Sequence, residues 1–187
     1  PYIGVPFSAL AGRDLGILSD PIRTTPIHSS HLLAKAPMED VGQWKRPWYF
    51  PKTGESMHEA VQRECMAART GVAVMDASTL GKIDIKGKDA AEFLNKIYSN
   101  PFAKVPVGRV RYGLMLREDG ICYDDGTTAR LAEDHFVMTT TTANAVLVYR
   151  NMEFARQCLF PDLDVHLIST TDQWAQFAIA GPNSRAV

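Results

Sequence analysis

Apolar and polar positions recur with two different periods along this chain. In ESMHEAVQRECMAARTG the spacing is helical, with Met57, Ala60, Val61 and Cys65 on one stripe. Ser56 followed by Glu59 fits a capping box, in which each side chain satisfies a free amide at the helix start. Gly71 provides the stop. After the short apolar run VAVMDAS, LGKIDIKG alternates with period two and ends on glycine, which predicts a strand. KDAAEFLNKIYSN returns to helical spacing, with Ala90, Phe93, Leu94 and Ile97 on one face, and Asn100-Pro101 ends it. RVRYGLMLRE reads as a strand, EDG as a turn, and ICYDDGTTARL as the returning strand of a hairpin. HFVMTTTT is a third strand, rich in β-branched residues. Thr142 is placed to cap the next helix, ANAVLVYRNMEFARQCL, whose apolar positions include Val146, Tyr149, Met152, Phe154 and Ala155. DVHLIST and WAQFAIAG are two further strands, the last stopped by Gly181-Pro182.

The order β-α-β-β-β-α-β-β mixes helices with neighbouring strands that favour antiparallel pairing. The pattern predicts an α+β fold with an antiparallel or mixed sheet, built on a ferredoxin-like split βαβ core with an added hairpin.

Residues 1–52 read differently. Pro1, Pro6, Pro21, Pro26, Pro37, Pro47 and Pro51 punctuate them, and proline removes backbone donors and fixes φ. The reading is an irregular, extended inter-domain arm. It carries Trp44, Trp48, Tyr49 and Phe50, aromatics that favour burial, so the arm is expected to pack onto a neighbour. Stacking of Lys45 or Arg46 on a tryptophan accounts for the basic pair in GQWKRPWYFP. The closing GPNSRAV reads as the start of another helix. The chain is therefore expected to be a piece: an arm at 1–52 and, at 53–187, the first part of a truncated domain.

Charge and cysteine usage narrow the partners. The formal net charge is −1, so bulk charge gives no reason to expect nucleic acid or an acidic membrane surface. No apolar run is long enough to span a bilayer, and PYIGVPFSALAGRD lacks the regions of a secretory signal. Cys65, Cys122 and Cys158 form no CxxC pair and are odd in number, which points to a reducing compartment and a cytoplasmic location. Cys65 and Cys158, in helical patterns, are expected to be buried fillers. His28 and His31 lack a third ligand nearby, so no metal site is expected.

No phosphate loop, GxGxxG, GxSxG or HExxH is present. The candidate chemistry is Asp124-Asp125. Either both aspartates face water at a hairpin end, or alternation sends them to opposite faces, so that one is solvated and the other can accept hydrogen bonds from a ligand. The second aspartate-bearing face would hold Cys122, Asp124 and Gly126. Tyr112, on the partner strand, is either a packed core residue or a pocket residue.

VMDASTLGKIDIKGKDAAEFLNKIYSN, RYGLMLREDGICYDDGTTARL and WAQFAIAGPNSRAV together resemble the folate-binding aminomethyltransferase family, with the glycine-cleavage T-protein fold. Upstream, LAGRDLGILSDPIRTTPIHSSH and VGQWKRPWYFP are similar to the alpha-subunit family of the heterotetrameric sarcosine oxidases. The resemblance implies a tetrahydrofolate site in which Asp124 is the catalytic carboxylate and Tyr112, Asp124 and Thr141 contact the cofactor. Thr141 stands where that family usually has asparagine. It also implies an oxidoreductase that demethylates sarcosine and passes the one-carbon unit to tetrahydrofolate, in company with beta, gamma and delta subunits. FAD, NAD and FMN would belong to the intact complex and not to this segment, which alone would be inactive. The rival expectations are a glycine-cleavage aminomethyltransferase or a dimethylglycine-oxidising relative, and a non-catalytic subunit-docking module.

Overall fold

The structure, a computed structural model, describes residues 20–187. The expected arm therefore lies partly outside the described residues. Within 20–52 there are three short strands, β1 (Arg23–Thr24), β2 (Met38–Val41) and β3 (Trp44–Pro47), and one short helix, α1 (His28–Leu33). They pair in the order β1-β3-β2. The prolines keep every element short, as the sequence implied, but the course is more regular than an irregular arm. Pro21, Pro26 and Pro37 precede elements and Pro47 ends one, so none removes an interior ladder donor. Gly42, at φ +60°, turns β2 into β3.

Trp44 is buried in this sheet. The cation over its ring is Arg23, at 4.4 Å, and neither Lys45 nor Arg46 stacks there. Those two pair across the hairpin instead, Lys45 with Asp40 at 2.8 Å and Arg46 with Glu39 at 2.6 Å. Cross-strand register decided this, because it sets opposite charges face to face.

The next helix, α2 (Met57–Thr70), begins on the expected Ser56–Glu59 capping box. Of its apolar stripe only Ala60 is buried, and Cys65 is exposed. β4 (Ala73–Asp76) then pairs antiparallel with the last strand, β10 (Phe177–Ala180), as a two-stranded ribbon.

The remaining elements form the main layer. They are β5 (Gly81–Lys86), α3 (Ala90–Ile97), β6 (Val110–Leu116), β7 (Cys122–Ala132), β8 (His135–Thr140), α4 (Ala145–Phe154) and β9 (His166–Ser169). The sheet runs β6-β7-β8-β5-β9, with every pair antiparallel. With β6 set aside, β7-β8-β5-β9 is the split βαβ arrangement, and β6 is the added hairpin strand. The predicted α+β class and core topology both hold.

Helices α3 and α4 cover one face of this sheet. Phe93, Leu94, Val148 and Met152 meet Ile83, Ile85, Met115, Phe136 and Met138 in a single cluster, each almost fully buried. Burying side chains of this size contributes about 1.5–3 kcal/mol each. The apolar positions of α4 divide between a covered and an exposed side. Val148, Met152 and Ala155 face the sheet, while Val146 and Phe154 are exposed. The helix is apolar on more than one side, so its pattern admits two overlapping stripes, and packing selected one. α4 continues into a π-helical turn, Ala155–Leu159; its altered rotation leaves Cys158 exposed. Thr142 is not the cap: the helix starts after Asn144, and the Thr142 hydroxyl bonds that of Thr79 at 3.0 Å.

Candidate functional site

The site is decided by parity along one hairpin. Tyr112 on β6 stands opposite Thr127 on β7, Leu114 opposite Asp125, and Met115 opposite Asp124. Side chains alternate along a strand and share a face with their cross-strand partner. Tyr112, Leu114, Asp125 and Thr127 therefore share one face. Gly113, Met115, Asp124 and Gly126 share the other, under the helices.

Asp124 is 3% exposed. One of its carboxylate oxygens accepts from the Thr141 backbone N–H at 3.2 Å, and the other from the Thr141 hydroxyl at 2.5 Å and the Asn144 amide at 3.3 Å. The Asn144 amide also reaches the Tyr123 carbonyl at 3.3 Å. These bonds tie β7 to the loop that launches α4. A carboxylate offers about four acceptor positions, and three are in use. Two residues on, Gly126 lets β8 approach closely: a Cβ there would lie 2.0 Å from the Thr139 carbonyl oxygen. Burial pushes the nearby Tyr98 hydroxyl well above the ordinary tyrosine range, with Asp124 and Asp125 adding to the effect.

Asp125 looks the other way. It is half-buried and accepts a hydrogen bond from the Tyr112 hydroxyl. That bond, with some desolvation, raises the Tyr112 pKa above its ordinary value. Tyr112 is 57% exposed, so the pair sits at an open surface.

Neither helix lies over that surface. A cleft of about 270 Å³ opens on it, lined by Val110, Ala129, Leu131, Val137 and Trp174, with Thr127, Thr139, Lys82 and Gln176 as its polar members. Thr127 is shared between the Tyr112 pair and the cleft. The structure thus brings Tyr112 together with Asp125 and not with Asp124. Thr141 belongs to the covered side with Asp124. Alternation predicted that the aspartates part company, but not which face stays open.

The sequence offered Asp125 only as the partner of Asp124, and Lys82, Thr127 and Trp174, which line the cleft, were not among the expected residues. A signal existed for one of them: in LGKIDIKG, alternation opposes Lys82 and Asp84 to Ile83 and Ile85. Trp174 had no such signal, since it follows a single 3₁₀ turn, Thr171–Gln173, and gets its place from tertiary packing.

A second cleft, of about 450 Å³, lies where the β1-β3-β2 sheet meets the start of α4, with Arg23, Trp44, Thr142, Tyr149 and Thr171 in its wall. Arg23 is paired there with Asp172.

Residues 27–187 match the family model described as the GCVT N-terminal domain. The chain belongs to the GCVT N-terminal domain family. That match begins inside the segment expected to be an arm. The chain is 56% identical over all its 187 residues to the sarcosine oxidase subunit alpha of Corynebacterium sp. (strain U-96), and it covers 19% of that protein. Identity to the corresponding subunit of Rhizobium meliloti (strain 1021) is 51%, over the same shares. The chain thus spans about a fifth of the length of these relatives. An aminomethyltransferase of Anoxybacillus flavithermus is 32% identical over 166 residues, which is 89% of this chain and 42% of that one. Among solved structures, the glycine cleavage system aminomethyltransferase T of Bartonella henselae superimposes with a TM-score of 0.75 at 24% identity, over 88% of this chain and 42% of the other. That likeness speaks for the GCVT fold alone.

Proposed function

We propose that this chain is part of the alpha subunit of a sarcosine-oxidising enzyme, and that the open face of its five-stranded sheet forms part of a tetrahydrofolate site. The observation that carries the reading is the Tyr112–Asp125 pair beside an apolar cleft, in a GCVT chain similar along its whole length to sarcosine oxidase alpha subunits. Aminomethyltransferases are less similar and match a smaller share of the chain. On this reading sarcosine is demethylated elsewhere in the complex, with FAD, NAD and FMN, and beta, gamma and delta subunits complete the assembly. On the same reading the location is cytoplasmic, as the unpaired cysteines suggest. Among the described residues no helix is long and apolar enough to cross a membrane.

The residues present fit such a ligand. Tetrahydrofolate would supply a secondary amine able to attack a one-carbon unit at the formaldehyde level. Asp125 is a carboxylate with acceptor capacity to spare, since the structure gives it a single partner, the Tyr112 hydroxyl. It can orient the N–H, take up the proton and offset positive charge that develops nearby. Tyr112 holds that carboxylate in place, and the apolar cleft takes an aromatic arm. Asp124 and Thr141 act as positioning residues that fix β7 against the helix layer.

The test is a calorimetric titration of the full-length protein, assembled with its partner chains, with folinic acid. Asp125→Asn should abolish binding, and Tyr112→Phe should weaken it by about threefold to tenfold, the worth of one hydrogen bond. Binding that survives Asp125→Asn unchanged sinks the site. Failure of the wild-type assembly to bind favours the docking-module reading.

A further inference from the structure

The Lys82 side chain is 2% exposed. It forms part of the cleft wall, and its ammonium donates to the Ser78 carbonyl at 2.7 Å. An ammonium carries three donors, and among the described residues this is the one hydrogen bond it makes, with no ion pair. Two donors of a buried cation are thus left without a protein partner, a costly arrangement unless something else supplies the acceptor. Burial pushes the Lys82 pKa down, against the opposing pull of Asp76 and Asp172. Among the described residues neither carboxylate comes within ion-pair distance of the ammonium; Asp76 bonds His31 at 2.8 Å and Asp172 pairs with Arg23.

The position of Lys82 limits what the missing acceptor is. Tyr112 stands opposite Thr127, the Thr127 N–H donates to the Thr139 hydroxyl at 2.9 Å, and Thr139 stands opposite Lys82. These four residues form one row across four adjacent strands, β6-β7-β8-β5. Three strand spacings separate Tyr112 from Lys82, about 14 Å. A pterin whose reacting nitrogens sit at the Tyr112–Asp125 pair cannot reach Lys82 with its own ring carbonyl, which lies within one ring of those nitrogens. Its benzoyl-glutamate arm can. Thr127 and Thr139 lie between the two ends, and the next row along the same strands is apolar, with Val110, Ala129 and Val137; Trp174 also lines the cleft, so the aromatic part of that arm has an apolar surface beside its path.

We infer that Lys82 is the anchor for a glutamyl carboxylate of the folate, with the benzoyl ring lying along the apolar cleft between the two ends. This rests on the folate reading above and extends it with a second, distant contact. The ligand carboxylate would supply the acceptor the buried ammonium lacks, in a setting where low dielectric strengthens the pair.

The experiment uses the full-length assembled protein with two probes, folinic acid and 6-methyltetrahydropterin, which has no benzoyl-glutamate arm. Lys82→Met should weaken folinic acid by about tenfold or more, the scale of a charged hydrogen bond, and leave the pterin probe within about twofold. Lys82→Arg should recover most of the lost affinity. The salt dependence of folinic acid binding should flatten in Lys82→Met, which a purely structural lysine would not produce. Lys82→Gln serves if the Met variant fails to fold. Equal weakening of both probes, or folinic acid binding that is lost with Asp125→Asn yet indifferent to Lys82→Met, overturns the anchor alone. A wild type that binds no folinic acid overturns the folate site itself, and the anchor with it.

Discussion

The two faces of the five-stranded sheet are made by the same strands, yet they do different work. On the covered face, β7 contributes Asp124, a carboxylate whose partners are protein groups, among side chains that are almost wholly buried. On the open face, one residue further on, it contributes Asp125, whose one side-chain partner among the described residues is an exposed tyrosine. Two identical side chains, adjacent in sequence, thus divide into a structural tie under the helices and an acid on the open face. The division teaches that in a half-covered sheet the face, and not the residue type, assigns the role.

The sharpest way to break this comparison is in the packing. Phe136→Ala, on the covered face of β8, should cost about 3–5 kcal/mol of stability in denaturant unfolding. Val137→Ala, its neighbour on the open face, should cost well under half as much, since its side chain is only half-buried. Equal losses would mean that the open face is packed as tightly as the other.

A smaller effect is expected at the aspartates. Asp124→Ala takes their acceptor from the Thr141 N–H and hydroxyl, at a cost of about 1–3 kcal/mol. Asp125→Asn should leave stability within about 0.5 kcal/mol, as surface changes usually do. A stability loss at Asp125 and none at Asp124, read from the same unfolding curves, would exchange the two roles.

The smallest effect is a change in acid sensitivity where α1 meets β4. Burial alone would raise the Asp76 pKa, but hydrogen bonds from His31 and Ser78 outweigh it and hold the value below the ordinary 3.8. A depressed carboxylate pKa gives stability that is present above the unfolded-state value and lost as pH falls through the folded one. Unfolding midpoints should therefore decline below about pH 4. His31→Gln should flatten that decline. An unchanged acid limb would mean that His31 does not hold Asp76.

Much of this was legible in the sequence. The capping box at Ser56–Glu59, the helix around Phe93, the β6–β7 hairpin and the strand order of the core all follow from period and turn chemistry, which are local properties. What misled was also local. Val146 and Phe154 lie on a plausible stripe of α4, but a helix apolar on two sides does not say which side is covered. The arm looked irregular because it is rich in prolines, whereas their places at element ends leave the β2–β3 ladder intact.

By itself the sequence determined most of the elements beyond residue 52, the α+β class, and, once Asp124 and Asp125 are placed inside a regular strand, their opposite directions, because side-chain direction in a strand is set by parity. Only the tertiary structure decided which face the helices would cover. That choice depends on where α3 and α4 return across the sheet, a matter of long-range packing that no short window encodes. It put the cleft on the side of Asp125 and left Asp124 under the helices, and it brought Lys82 and Trp174, far apart in sequence, into the lining of one cleft.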